Sequence, residues 1–410
     1  MQWLPFAVSL ALACVLAGDW WATSAAARRA RDSRKVRIVV TGSRGKSGTV
    51  RLIHAVLNHS EVTTYAKITG AVAEEIRHDG DSRMTRRIGP ISATEMLGAL
   101  RRAGRDKCDA VVFECMAVAP KLITFVVNEV VRPNILVIPT VRLDHLEDEG
   151  HSLDEITRNI ISPLTGFEVV ITGDTDLRVL QTLRKLAREK NFRLVEARVH
   201  ESQPVIPEHH PVNVAVALAI ATQAGIAAEH ARAALLGATH EPNAGIGWWL
   251  DHDDKRTFVC DLGKANDVQS AAEAIRGVRE YLGDDVPLVP VIANRWDRPL
   301  RGRSFVAALT STPDNEPVVL SGDAYAQSRR VLARHGVERP RITRLPISAT
   351  LSKKSLTRLF ARWHGEHPEI AVLLLENDHS TAVRLLRARA GKHGRAVRHN
   401  RPGTPGVNHD

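Results

Sequence analysis

Residues able to do chemistry gather at three places in this sequence. The first is Gly42-Ser43-Arg44-Gly45-Lys46-Ser47, followed by Gly48. Glycines there let backbone N–H groups close on phosphate oxygens, and a helix starting at the loop turns its positive end toward the same anion. In such a loop Lys46 reaches the β- and γ-phosphates of a nucleotide, and the Ser47 hydroxyl ligates Mg²⁺. The general phosphate-loop pattern wants a glycine where Val40 stands. The second place is Glu114, in Val112-Phe-Glu-Cys-Met-Ala-Val, a carboxylate able to hold Mg²⁺ between nucleotide and substrate. The third is Asp144-His145, an oxygen and a nitrogen donor for a second metal. Singly, the last two are weak signals, because a strand-end Glu is often merely solvated and an Asp-His pair is often a cap beside a surface histidine.

These residues need a sheet to bring them together. Unalternating β-branched runs at Val36–Val40, Ala110–Phe113, Ile135–Ile138 and Val169–Ile171 predict strands buried on both faces. Helical stretches such as Gly48–Leu57 and Thr94–Ala103 lie between them. That alternation implies an α/β fold with a mostly parallel sheet, which places ligands at the carboxyl ends of its strands. Glu114 and Asp144-His145 both stand at such ends. An Ala/Val-rich helix is predicted at Val212–Ala221, and Glu241–Gly247 then separates a second alternating unit with strands at Phe258–Leu262, Leu288–Ala293, Val318–Ser321 and Ile370–Leu375.

The 410 residues suit two globular domains, and 44% apolar content supports sizeable cores. Aromatics make up only 4% of the chain, too few for extended base-stacking platforms. The net charge of +10 suits a polyanionic partner or an Arg-rich solvated surface equally well, and a nucleic-acid role rests on that charge alone. Four scattered cysteines without a C-x-x-C pair argue against a zinc ribbon or a disulfide framework.

Residues 1–18 carry no charged side chain; Trp20, Trp21 and the cluster Arg28, Arg29, Arg31, Arg34, Lys35 follow. This reads as a transmembrane anchor with interfacial tryptophans and a basic flank that keeps the rest of the chain cytoplasmic. A cleaved signal peptide is the competing reading, favoured by the small residues Ala25–Ala27. The organisation expected is residues 1–35 as anchor, 36–243 as ATP-binding domain, 244–390 as a smaller Rossmann-like domain, and 391–410 as a disordered tail.

Taken in order, the glycine loop, Glu114 and Asp144-His145 resemble the Mur ligase superfamily, and within it the ligase subunit of poly-γ-glutamate synthases. The resemblance extends through Lys67-Ile-Thr-Gly, Gly89-Pro, Glu114-Cys-Met-Ala-Val, Ser152-Leu-Asp-Glu-Ile, Asn213, Ala265-Asn-Asp267, Arg295-Trp-Asp-Arg298, and Asn377 with His379. It implies that Lys46 and Ser47 bind phosphate and metal, that Glu114 and His145 ligate Mg²⁺, and that Asn213 approaches adenine and Asp267 the ribose. Four departures stand out: Thr140 in place of the usual Asn, Glu147 in place of Asp, no Arg near Gly245–Gly247, and no lysine between His145 and Thr165 to be carbamylated.

The reaction class implied is ATP-dependent activation of a carboxylate and its capture by an amine, with glutamate and poly-γ-glutamate as substrates. A small multi-span membrane subunit and further synthase subunits are the expected partners. Arg295, Arg298, Arg301 and Arg303 would clamp a growing polyanion, or form a solvated basic loop. Two alternatives remain: a Mur-type ligase for another amino acid or envelope substrate, and a P-loop ATPase of a membrane complex that forms no bond. Only the anchor precedes the ATP-binding domain, which argues against a nucleotide-sugar precursor.

Overall fold

The computed structural model describes residues 4–70, 73–85, 95–117, 119–144, 146, 149–206, 209–238, 246–252, 254–262, 267–294, 305, 318–322, 325–334, 342–345, 353–375 and 381–398. The chain forms two compact units. The first comprises Met1–Val141, Asp148–Val205 and Pro211–Thr239; the second comprises Arg142–Glu147, Ile206–His210 and the chain from His240 onward.

The first unit is an eight-stranded sheet of β1 (Val36–Val40), β2 (Thr64–Ile68), β3 (Glu74–Ile76), β4 (Ser82–Met84), β5 (Ala110–Glu114), β6 (Ile135–Ile138), β7 (Val169–Thr172) and β8 (Arg193–Glu196). Their spatial order is β4-β3-β2-β5-β1-β6-β7-β8, parallel from β2 to β8, with β3 and β4 as an antiparallel extension. The central strands are covered on both faces, as their unalternating apolar sequences require: Ile38, Val39 and Val40 of β1, all of β5, and Leu136–Ile138 are buried. The helices of this unit are α1 (Leu4–Asp32), α2 (Lys46–His59), α3 (Glu95–Arg105), α4 (Pro120–Thr124), α5 (Leu153–Ile161), α6 (Leu177–Lys190), α7 (Pro211–Gln223) and α8 (Ala228–Leu236). A π-helical turn, Phe125–Val131, continues α4.

Strand β2 lacks an apolar signature. Its Lys67 is fully buried, with Nζ 3.2 Å from Glu75 and 3.7 Å from Glu95, and it donates to Thr85 Oγ1 at 2.5 Å. Arg102 of α3 grips Glu75 with two hydrogen bonds, at 2.7 and 2.6 Å, and Arg51 of α2 pairs with Glu74. A buried charge is tolerated only when paired in this way.

The second unit is a seven-stranded sheet of β9 (Ile246–His252), β10 (Lys255–Asp261), β11 (Leu288–Asn294), β12 (Val318–Gly322), β13 (Ile342–Leu345), β14 (Glu369–Leu375) and β15 (Arg395–Arg398). Its order is β13-β12-β11-β14-β10-β9-β15, parallel except for the antiparallel edge of β9 and β15. Successive residues of β14 feed opposite faces: Leu373 and Leu375 join Phe258 and Trp249, while Leu374 joins Val259 and Trp363. Helix α9 (Val268–Leu282) belongs to this unit.

One expectation is corrected here. The segment from Gly391 does not begin a disordered tail: residues to His393 finish a helix, and Arg395–Arg398 pair with β9 through Val397 and its neighbours. Part of the basic cluster after the N-terminal apolar stretch is built into the first unit. Arg31 and Arg34 are buried; Arg31 donates to Glu129 O at 3.0 Å, and Arg34 to Ala103 O at 2.8 Å. These are carbonyls at helix C-termini, where cations are favoured. Helix α1 itself is long and apolar enough over Val8–Asp32 to cross a membrane.

Candidate active site

The site lies at the carboxyl ends of β1, β5 and β6, where the chain leaves β1 between two neighbours reached by different crossovers. Beyond β1 the loop is zipped to the end of β6. Ser43 N donates to Thr140 O at 2.9 Å, and Arg44 pairs with Thr140 as an isolated antiparallel bridge. Thr140 thus serves the loop through its backbone and through its hydroxyl, which donates to Arg44 O at 3.4 Å. Gly42 takes φ +104, and a Cβ there would sit 2.9 Å from Thr140 O. Gly45 caps α2 in the left-handed region at φ +82, so the first N–H groups of α2 open onto the loop. Lys46 Nζ donates across the mouth to Gly42 O at 2.6 Å and Ser43 O at 3.2 Å.

Ser47, in the first turn of α2, meets Glu114 at the end of β5. Its Oγ lies 3.1 Å from both Glu114 oxygens. Glu114 Oε2 also accepts from Thr69 N at 2.8 Å and Gly70 N at 3.1 Å, just past β2, while the Thr69 hydroxyl donates to Glu114 O at 3.0 Å. The carboxylate is buried and fixed by β2 lying beside β5. Gly70 leaves the space in front of it open, since a Cβ there would come within 2.8 Å of Ser47 Oγ.

Asn213 in α7 is brought to the loop: a Cβ on Gly45 would lie 2.5 Å from its Oδ1. Gly173 permits this approach, because a side chain there would collide with Val212 at 2.4 Å and Val216 at 2.9 Å. Asp174 ties the ends of β6 and β7 by accepting from Val141 N at 2.6 Å. Cys115 is buried and its thiol is pushed up to about 11 by desolvation, which suits packing and not nucleophilic attack.

The sequence-predicted residues of the first unit, Gly42, Ser43, Arg44, Gly45, Lys46, Ser47, Gly48, Glu114 and Asn213, therefore share one edge of one sheet. Asp267, expected at a ribose, caps α9: its carboxylate accepts from Ser270 N at 2.9 Å and Ser270 Oγ at 2.6 Å. Asp144 is buried. His145, Arg295, Arg298, Arg301 and Arg303 lie outside the described residues. Among the described residues no three His, Cys, Asp or Glu side chains gather as a metal cluster. Ser47 and Glu114 supply a hard-oxygen pair of the kind Mg²⁺ prefers. Thr69 and Gly70 entered the sequence reading only through the Lys67-Ile-Thr-Gly resemblance, without a role as holders of Glu114.

Two family models match the chain: the Mur ligase middle domain over residues 40–196, and the poly-gamma-glutamate synthase CapB C-terminal domain over residues 249–391. The chain is thus similar to the Mur ligases over the first stretch and to CapB over the second. It is 27% identical over 309 residues to the capsule biosynthesis protein CapB of Bacillus anthracis, an overlap of 72% of this chain and 65% of that protein. It is 28% identical over 307 residues to PGA synthase CapB of Bacillus subtilis (strain 168), covering 71% of this chain and 76% of the other. A solved bifunctional folylpolyglutamate synthase/dihydrofolate synthase with Mn, AMPPNP and L-glutamate bound superposes with a TM-score of 0.60 at 15% identity, covering 90% of this chain and 93% of that one. This likeness places the chain in the same α/β fold.

Proposed function

We propose that the chain is an ATP-dependent amide ligase that joins glutamate into poly-γ-glutamate and works at the cell membrane as part of a synthase. The observation that carries the reading is the meeting of Ser47 with Glu114 beside the phosphate loop. The substrate class is supported by the CapB relatives, and nucleotide with a divalent ion by the AMPPNP and Mn of the folylpolyglutamate synthase structure.

In this reading the loop N–H groups and Lys46 bind the ATP phosphates, and Asn213 lines the adenine side. Ser47 and Glu114 hold Mg²⁺, with His145 as a further ligand. When bound, the ion neutralises phosphate charge and draws electrons from the reacting phosphorus. The Thr69 and Gly70 N–H groups fix Glu114, so the carboxylate does not reorganise during the reaction. A glutamate carboxylate oxygen attacks the γ-phosphorus and the bond to ADP breaks, leaving an acyl phosphate. The amine of the second glutamate attacks the acyl carbon, loses a proton, and phosphate departs carrying the original carboxylate oxygen. No covalent protein nucleophile enters. Asp267 contributes to the ribose side, and Arg295, Arg298 and Arg301 clamp the polyanionic product. Glutamate, the polymer, a small multi-span membrane subunit and the bilayer are the partners; α1 is the anchor and the catalytic units lie in the cytoplasm.

The test is a membrane-fraction assay with ATP, Mg²⁺ and L-glutamate, comparing wild type with Lys46→Ala. Glutamate-dependent ADP release with polymer formation, both lost in the variant, is the expected result. ADP release indifferent to every amino acid offered contradicts a ligase, and release driven by another amino acid replaces the substrate.

A further inference from the structure

We propose that α1 is a rigid strut that turns the phosphate-loop edge of the first sheet toward the lipid surface. The inference rests on reading α1 as the membrane anchor and adds the direction in which the site faces.

The lower part of α1 is built into the first unit. Ser24, Ala27, Ala30 and Arg31 are buried, a spacing that puts them on one helix face, and Arg34, just past the end of the helix, is buried too. Ala30 packs so closely on α3 that a Cβ on Gly104 would come within 2.8 Å of it. Arg34 reaches Ala103 O at 2.8 Å, and Arg31 reaches Glu129 O at 3.0 Å and Val130 O at 3.4 Å. Two buried guanidinium groups spent on helix-end carbonyls fix both the position and the rotation of α1. Above this seat the character changes: Val8, Leu12, Val15, Leu16, Trp20 and Trp21 are all at least half exposed.

Direction follows from the contacts. Ala30 lies against Gly104, while Thr23 receives a hydrogen bond from Arg101 at 3.4 Å. Earlier residues of α1 meet earlier residues of α3, so the two helices run the same way. Helix α3 ends at Arg105 and β5 begins at Ala110, so α3 descends toward the amino edge of the sheet while β5 ascends. Helix α1 likewise ends at Asp32, close before β1 begins at Val36. The apolar part of α1 therefore projects past the carboxyl edge, the side that carries Gly42–Ser47 and Glu114. From Ala30 back to Trp21 the helix climbs about 14 Å at 1.5 Å per residue. From Ala110 to Glu114 the strand climbs about 13 Å. The tryptophans that mark a lipid interface stand level with the site. A polyanion made at that edge is released against the membrane and not into bulk solution.

Fluorescence transfer to an acceptor on lipid head groups reads this orientation. The full chain, with Cys14→Ser and either Leu122→Cys or Lys107→Cys, carries one exposed donor, since Cys108, Cys115 and Cys260 are buried. Leu122 lies beyond the carboxyl end of β5 and Lys107 in the turn before its amino end; both are exposed. In reconstituted vesicles the donor at Leu122 is expected to lose most of its emission and the donor at Lys107 to keep it. A flexible Gly/Ser segment inserted after Ala22 is expected to abolish that difference while the chain still sediments with the vesicles. Equal or reversed quenching without the insertion overturns the strut, as does a difference that survives the insertion. A chain that fails to sediment with vesicles overturns the anchor reading itself.

Discussion

Ser47 Oγ stands 3.1 Å from both carboxylate oxygens of Glu114, and one of those oxygens is pinned by the N–H groups of Thr69 and Gly70. Three strand ends, β1 through its following helix, β2 and β5, thus converge on a single carboxylate. Such a group is oriented before any ligand arrives, which is the condition for strong electrostatic assistance.

Replacing Glu114 by Gln removes the charge and keeps the shape. ADP release is expected to fall by more than about 100-fold, because partners one shell further out are already worth about 10–100-fold at metal sites. Steady-state ADP release across a Mg²⁺ titration checks this; a drop of a fewfold at saturating Mg²⁺ would separate Glu114 from the metal.

Gly70→Ala places a methyl group 2.8 Å from Ser47 Oγ, in the space before Glu114. No left-handed backbone is required at Gly70, so the fold is expected to persist with an unchanged melting temperature. Turnover is expected to fall by about 100-fold, the scale of a misplacement near 1 Å. Gly45→Ala differs: at φ +82 and 2.5 Å from Asn213 Oδ1, it is expected to lower both nucleotide affinity and the melting temperature.

How far the sequence disclosed this site depends on which residues are asked about. Strands β1, β5 and β6 were legible because each is a mostly apolar, Val-containing run without alternation, which must be buried on both faces. With them came Gly42–Ser47 and the strand-end position of Glu114. Strand β2 was not legible. Thr64-Tyr-Ala-Lys-Ile reads as half polar, and Lys67 is buried only because Glu75 and Glu95 arrive from other elements. Without β2 beside β5, the role of Thr69 and Gly70 has no local signature. Asp267 shows the converse: its side chain does the local work of an N-cap, a role that Asp267-Val-Gln-Ser270 announces in sequence as plainly as any ligand role.

Lys67→Met tests that buried layer. Removing the cation takes one partner from Glu95 and one from Glu75, which keeps Arg102. The loss is therefore expected to fall short of the roughly 3–5 kcal/mol of a fully broken buried pair. Chemical denaturation followed by circular dichroism is expected to show the loss, while Lys67→Arg retains part of the stability.

His54 gives a pH dependence with a defined sign. Burial in α2 pushes its imidazole down to about 4, with Nε2 3.1 Å from Thr64 O. Unfolding restores an ordinary value near 6.5, so between about 6.5 and about 4 the unfolded chain binds the extra proton. Stability from this group is whole above about 6.5 and is lost as pH falls toward about 4. Melting curves across that window are expected to flatten in His54→Gln relative to wild type.

The central claim is that a substrate carboxylate attacks the γ-phosphorus of ATP. It is tested most directly by supplying glutamate with heavy-oxygen-labelled carboxylates to membranes containing the wild-type chain, Mg²⁺ and ATP. Mass analysis of the released phosphate should find one heavy oxygen per amide bond formed. Unlabelled phosphate accompanying polymer growth contradicts the acyl-phosphate route and the role assigned to this site.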